Sequence, residues 1–99
     1  MSVVTREENM TTIAPGRDVV SSMVAEFKQE LAELLAENSS VLRLDMTGVE
    51  LVDSMGIGVI IATHNSMKKR GGKLLVSHVS ENIFKLFQSM RLDKHLYLQ

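Results

Sequence analysis

Between Asp18 and Asn38 the apolar residues Val20, Met23, Val24, Phe27, Leu31, Leu34 and Leu35 recur at steps of three and four. At roughly 100° per residue they share one face, which predicts an amphipathic helix closed by Asn38-Ser39-Ser40. Glu26, Glu30, Glu33 and Glu37 form an acidic ridge on its flank, read as a solvated edge with a docking surface as the sharper alternative. Upstream, Val3 to Ala14 groups β-formers around the polar break Glu7-Glu8-Asn9, the pattern of a short hairpin. Pro15-Gly16 ends it, because proline cannot donate to a ladder and glycine turns the chain readily.

Downstream, Val41 to Met46 alternates apolar and polar residues and reads as a strand, followed by a second apolar approach, Val49, Leu51 and Val52, that leads to Asp53. A helix is expected from about Ser54 to Arg70, stopped by Gly71-Gly72, and then a strand in Lys73 to Val79. Ser80 is a suitable N-cap for a helix from Glu81 to Met90, with Ile83, Phe84, Leu86 and Phe87 as its apolar face. The tail His95 to Gln99 adds a last short strand. The order β-β-α-β-α-β-α-β implies an α/β sandwich: a mixed, partly parallel sheet of four to five strands with helices packed on it.

Within the helix from Ser54, Ile57, Ile60, Ile61 and His64 fall within about 100° of one another and are expected to face the core. Met55, Val59, Ala62 and Ser66 project from the opposite side. That strip is either covered by another helix or exposed as a small apolar docking surface beside Ser54.

Length and composition narrow the chemistry. Ninety-nine residues suit one domain over 1–99 with a modest core. No apolar run approaches the ~20 residues that span a bilayer, and the N-terminus lacks the basic start and apolar stretch of a signal peptide, so the expected location is cytoplasmic with no membrane partner. The absence of cysteine removes disulfides and thiolate metal sites, and three scattered histidines suggest no metal or other cofactor. A net charge of −1 argues against general nucleic-acid binding. The signs are nonetheless uneven: residues 1–53 hold ten acids and four bases, 54–99 two acids and seven bases. Lys68, Lys69, Arg70 and Lys73 read first as cations at a helix C-terminus, with a nucleic-acid contact as the alternative.

The stretch Asp53-Ser54-Met55-Gly56-Ile57-Gly58 is the most distinctive on the chain. A serine nucleophile requires a base within hydrogen-bond reach. His64 lies ten residues on, about 15 Å along a helix axis, and the nucleophile-elbow glycine is replaced by Val52. Walker A spacing is absent as well. Asp53 or Ser54 is expected to cap the helix. Capping does not explain two glycines in the first turns, each costing about 1 kcal/mol against alanine, so close packing or the approach of another molecule is implied.

Residues 41–98 resemble the STAS domain of anti-sigma factor antagonists. The likeness rests on Asp53-Ser54-Met55-Gly56-Ile57-Gly58 opening a helix after a strand, the Gly-Gly-Lys turn at 71–73, and the Ile-x-x-Leu-Phe helix at 83–87 that leads into Leu92. Over 1–40 the order of elements agrees more than the residues do. The resemblance implies a non-enzymatic partner switch. Ser54 would be phosphorylated by a cognate GHKL-type serine kinase that is also the anti-sigma factor, and dephosphorylated by a PP2C-type phosphatase. Unphosphorylated, the domain would bind that kinase and release its other client. Asp53, Ser54, Met55, Gly56, Ile57, Gly58 and Val59 would form the docking surface, with Ala62 on the same strip. Asp18 stands nearest to where the family often carries an acidic or amide residue after the glycine, here Gly16.

Three departures are visible. Met55 replaces a usual serine or alanine, Val19 or a displaced Asp18 replaces the usual polar residue, and the last helix of many relatives is short or missing before Gln99. The alternative is a constitutive STAS subunit of a larger signalling assembly or of a transporter ATPase, in which Ser54 serves as cap and contact without being phosphorylated.

Overall fold

The computed structural model describes residues 1–98. Two antiparallel strands, β1 (Val3–Arg6) and β2 (Met10–Ala14), form the expected hairpin, in the register Val3 opposite Ala14 and Thr5 opposite Thr12. Helix α1 (Ser21–Leu35), β3 (Val41–Asp45), α2 (Ser54–Lys69), β4 (Lys73–Ser77), α3 (Glu81–Ser89), a 3₁₀ turn (Leu92–Lys94) and β5 (Tyr97–Leu98) follow. The sheet order is β1-β2-β3-β4-β5, antiparallel at β1/β2 and parallel elsewhere, so each helical crossover delivers the next parallel strand. The α/β, mixed-sheet reading therefore holds. Gln99, placed in the last strand by its sequence, lies outside the described residues.

Register explains which face of the sheet is covered. Ile13 pairs with Leu44, Leu42 with Leu74 and Leu44 with Val76, and all of these side chains are buried. Their alternates Val41, Arg43, Asp45 and Leu75 are half-buried, with the Arg43 guanidinium donating to Thr12 Oγ1 across the strand pair. The period-2 alternation thus resolves into a packed face and a partly open one. Met23, Val24, Phe27, Leu31 and Leu34 of α1 join the core as their spacing requires.

Several boundaries differ for identifiable reasons. The first helix starts at Ser21 because Val19 is drawn into an isolated parallel bridge with Val52. Two bonds make it: Val19 N–H donates to Leu51 O at 3.0 Å, and Asp53 N–H to Val19 O at 3.2 Å. The apolar approach Val49 to Val52 is therefore an anchored loop. β4 stops at Ser77 because His78 takes φ of 57°, and α3 ends one residue early at Ser89, with Ser80 capping it through Ile83 N–H as expected.

The acidic ridge of α1 is a fastening for the N-terminal strand. Glu26 receives the chain's N-terminal ammonium and Arg17, Glu30 accepts from the backbone and hydroxyl of Ser2, and Glu37 forms a two-point pair with Arg6. These contacts hold the Glu26 and Glu37 carboxyls below their ordinary range, through the N-terminus and Arg6 respectively.

Candidate functional site

Two segments that are far apart in sequence, 18–21 and 50–56, meet at the start of α2. Asp53 is its N-cap, in extended conformation, and its Oδ1 accepts from Gly56 N–H at 2.9 Å. The other oxygen, Oδ2, accepts from Ser21 N–H at 2.8 Å. Helix α1 begins after Val20, whose side chain supplies no cap, so Asp53 terminates both helices at once. These N–H donors, Gly56 first and Ser21 next, hold the Asp53 carboxyl below its ordinary value against the opposing effect of burial. Nearby, Asp18 Oδ1 accepts from the backbone of both Glu50 and Leu51, at 2.9 and 3.1 Å.

The two glycines have different causes. A Cβ on Gly56 would lie 2.1 Å from Val19 O, so the bare backbone there is a packing requirement of the Val19–Val52 bridge. A Cβ on Gly58 would meet nothing within 4 Å, and the residue is exposed. Only Gly58 leaves backbone open to an approaching molecule.

Ser54 is the first residue of α2 and is exposed, with Met55 beside it 56% exposed. Together with Val24 and Lys28 of α1 and Gly58, Val59 and Ala62 of α2 they line a shallow groove of about 250 Å³. A second cleft of about 140 Å³, lined by Leu31, Ala32, Leu35, Val59, Ala62, Thr63 and Ser66, continues between the two helices. None of the three histidines lines the groove beside Ser54, and no metal-binding cluster occurs among the described residues.

The face assignment of α2 is corrected. Its buried residues are Gly56, Ile57, Val59, Ile60, Thr63 and Met67, whereas Ile61 and His64 are only half-buried. The core face is rotated toward α1 because that helix packs alongside and claims Val59 as its floor. Of the strip foreseen as one surface, Met55, Ala62 and Ser66 remain exposed and Val59 does not. Sequence reasoning also missed the groove's other wall: Val24 had a core position in the helical pattern, but nothing marked Lys28.

An α/β sheet with an antiparallel first pair, and an Asp-Ser-x-Gly-x-Gly turn opening its second helix, define the class. The STAS domain family model matches residues 2–99, and the chain belongs to this family. Among curated relatives, the anti-sigma-B factor antagonist of Bacillus subtilis is 37% identical over 75 residues, covering 76% of this chain and 66% of that protein. The match thus spans just under two thirds of the relative's length. A Thermotoga maritima protein solved as a candidate anti-sigma factor antagonist superposes with a TM-score of 0.92 at 18% identity, over 98% of this chain and 84% of that one. The phosphorylated form of the Bacillus cell fate determinant SpoIIAA gives 0.78 at 12%, over 100% and 89%. At these identities the structural likeness establishes the fold.

Proposed function

We propose that this chain is an anti-sigma factor antagonist that works as a phosphorylation-controlled partner switch, a binding regulator and not an enzyme, in the cytoplasm. The observation that carries the reading is the placement of Ser54: an exposed hydroxyl on the rim of an apolar groove, next to a carboxylate whose two oxygens are already engaged. The partner is an anti-sigma factor that is also a GHKL-type serine kinase, and a PP2C-type phosphatase resets the switch. The names of the relatives support antagonism, and the SpoIIAA structure shows that a protein of this fold accepts a phosphate.

Physical chemistry favours a switch that acts on binding. A phosphate on Ser54 brings about −1.5 to −2 charges to a helix N-terminus, where the macrodipole and unpaired N–H groups tolerate them. Closing a partner over that phosphate, beside Asp53 and against Met55, Gly58 and Ala62, adds desolvation and like-charge repulsion, enough to lower affinity by orders of magnitude. Ile57 and Gly56 contribute by holding the turn rather than by contact, since both are buried. Asp18 has the same role for the loop at Glu50 and Leu51.

The test is intact-mass measurement after incubation with ATP and the genetically linked kinase, combined with pull-downs. Wild type gains one phosphate and Ser54→Ala none, while Ser54→Asp loses the kinase that Ser54→Ala retains. Equal binding by wild type, Ser54→Ala and Ser54→Asp, with no phosphate added, overturns the switch. One observation favours a constitutive STAS subunit in that event: Met55 already presents an exposed thioether beside Ser54, an apolar anchor that requires no control by charge.

A further inference from the structure

The groove beside Ser54 and the cleft between α1 and α2 are two halves of one trough, because Lys28, Val59 and Ala62 line both. From Ser54 at one end to Ser66 at the other it follows α2 for about 18 Å, at 1.5 Å per residue. Ala32 on α1 and Gly58 and Ala62 on α2 are small and exposed, which leaves the trough open along its length. Lys28 is the one charged residue that lines either half among the described residues, and it stands where the halves join.

Lys28 makes no ion pair among the described residues, and the residues three and four positions away on α1, Val24, Ala25, Leu31 and Ala32, carry no charge. Glu26, Glu30 and Glu37 of the same helix turn instead to Arg17, Arg6 and the first two residues of the chain. In water an ammonium without a partner is well solvated. Under a partner it loses that water, which is unfavourable unless a carboxylate arrives with the surface that covers it. The walls also limit the form of the occupant. Both belong to helices, whose backbone groups bond internally, and the Thr63 hydroxyl already donates to Val59 O at 2.8 Å. An extended segment laid here would leave its own N–H and C=O groups unpaired against apolar side chains, whereas a helix satisfies its backbone within itself.

We infer that the trough seats an amphipathic helix of the anti-sigma factor, which lays apolar side chains against Val24, Met55, Leu31 and Leu35 and brings one carboxylate to Lys28. The inference rests on the function proposed above and adds to it the shape and charge of the partner's contact. Lys28 is then a specificity-determining residue: a helix with a cation, or with no charge, at that place covers an ammonium that nothing neutralises. The trough begins at Ser54, so the carboxylate that Lys28 selects is also a charge that a phosphate on Ser54 repels.

The probe is the genetically linked anti-sigma factor kinase, whose affinity for the full chain is measured by calorimetry. Lys28→Glu should weaken binding by at least about tenfold and Lys28→Arg by no more than about threefold, while Lys69→Glu, the same change of charge outside the trough, should bind as wild type does. Ala32→Gln, which obstructs the half remote from Ser54 without changing charge, should weaken binding by about tenfold. Lys28, Ala32 and Lys69 are exposed, so the variants are expected to fold, which circular dichroism verifies. Amide exchange slowed in the kinase on binding should map to one helix that bears Asp or Glu, and changing that acid to Lys should restore the affinity lost in Lys28→Glu. Ser54→Asp, measured alongside, reads the switch separately. Loss of binding in Ser54→Asp with wild-type affinity in Lys28→Glu and Ala32→Gln overturns the trough and leaves the switch standing, whereas the reverse pattern upholds the trough and overturns the switch. Equal weakening by Lys69→Glu, protection of a strand or loop of the kinase, or a dimer of the chain alone that Lys28→Glu dissolves, which would put a second copy in the trough, each overturns the proposal.

Discussion

At Gly56 and Gly58 one residue type serves two unrelated ends. The spacing of the glycines implied a need for bare backbone without saying whose approach required it, because the atom that crowds Gly56 is the carbonyl of Val19, 37 positions away. Gly56→Ala forces that carbonyl and the Val19–Val52 bridge to move, and should destabilise the protein by about 1–3 kcal/mol, as overpacked sites do. Gly58→Ala has open space and helical backbone, and should stabilise by up to about 1 kcal/mol. Urea melts of the two variants therefore shift in opposite directions. Asp53 behaves similarly: that it caps α2 follows from its residue type, whereas its bond to Ser21 does not. Because its native pKa is depressed, its contribution is present above the ordinary value of 3.8 and is lost as pH falls through the lower native value. Asp53→Asn should be less stable than wild type at neutral pH, and the gap should close on acidification below about pH 4. A gap that is constant with pH in paired thermal melts would show that the carboxylate's charge is not what the two helices use.

Helix existence and type were legible wherever apolar spacing was strong, because amphipathic periodicity is a local property. What each helix faces was not, because that depends on neighbours remote in sequence. The acidic ridge of α1 looked solvated, yet three of its four glutamates hold the first strand or the N-terminus. The cations at the end of α2 illustrate the same limit. Lys68 and Lys69 sit in the last turn as the helix dipole favours, but Arg70 turns to another helix. Its guanidinium donates to the carbonyls of Leu35, Glu37 and Ser39, the last at 2.9 Å, and so satisfies the C-terminal end of α1. Arg70→Ala should then cost about 1 kcal/mol of stability, and Arg70→Lys should recover only part, since a single ammonium cannot bridge three carbonyls in a fork. Hydrogen exchange locates the effect: protection should fall in residues 31–36 of α1, not at the end of α2 where the substitution lies.

The whole molecule separates two tasks, folding and binding, that the proposed switch has to keep apart. The core runs through Leu42, Leu44, Leu74 and Val76 of the central strands and the inner faces of α1 and α2, whereas Ser54 stands on the rim, contributing to no part of it. A negative charge at the first helical position is favoured by the macrodipole, by roughly 0.3–1 kcal/mol, and opposed by the adjacent Asp53 carboxylate. The two effects are similar in size and opposite in sign, so Ser54→Asp should leave global stability within about 0.5 kcal/mol of wild type. The same substitution is expected to lower partner affinity by orders of magnitude, and the contrast between the two measurements is what defines a switch in binding. Calorimetric unfolding of wild type, Ser54→Ala and Ser54→Asp measures the first quantity without any partner present. A loss of several kcal/mol in Ser54→Asp would mean that charge at this position loosens the Asp53 junction between α1 and α2, and that release of the partner comes from partial unfolding and not from repulsion at an intact surface.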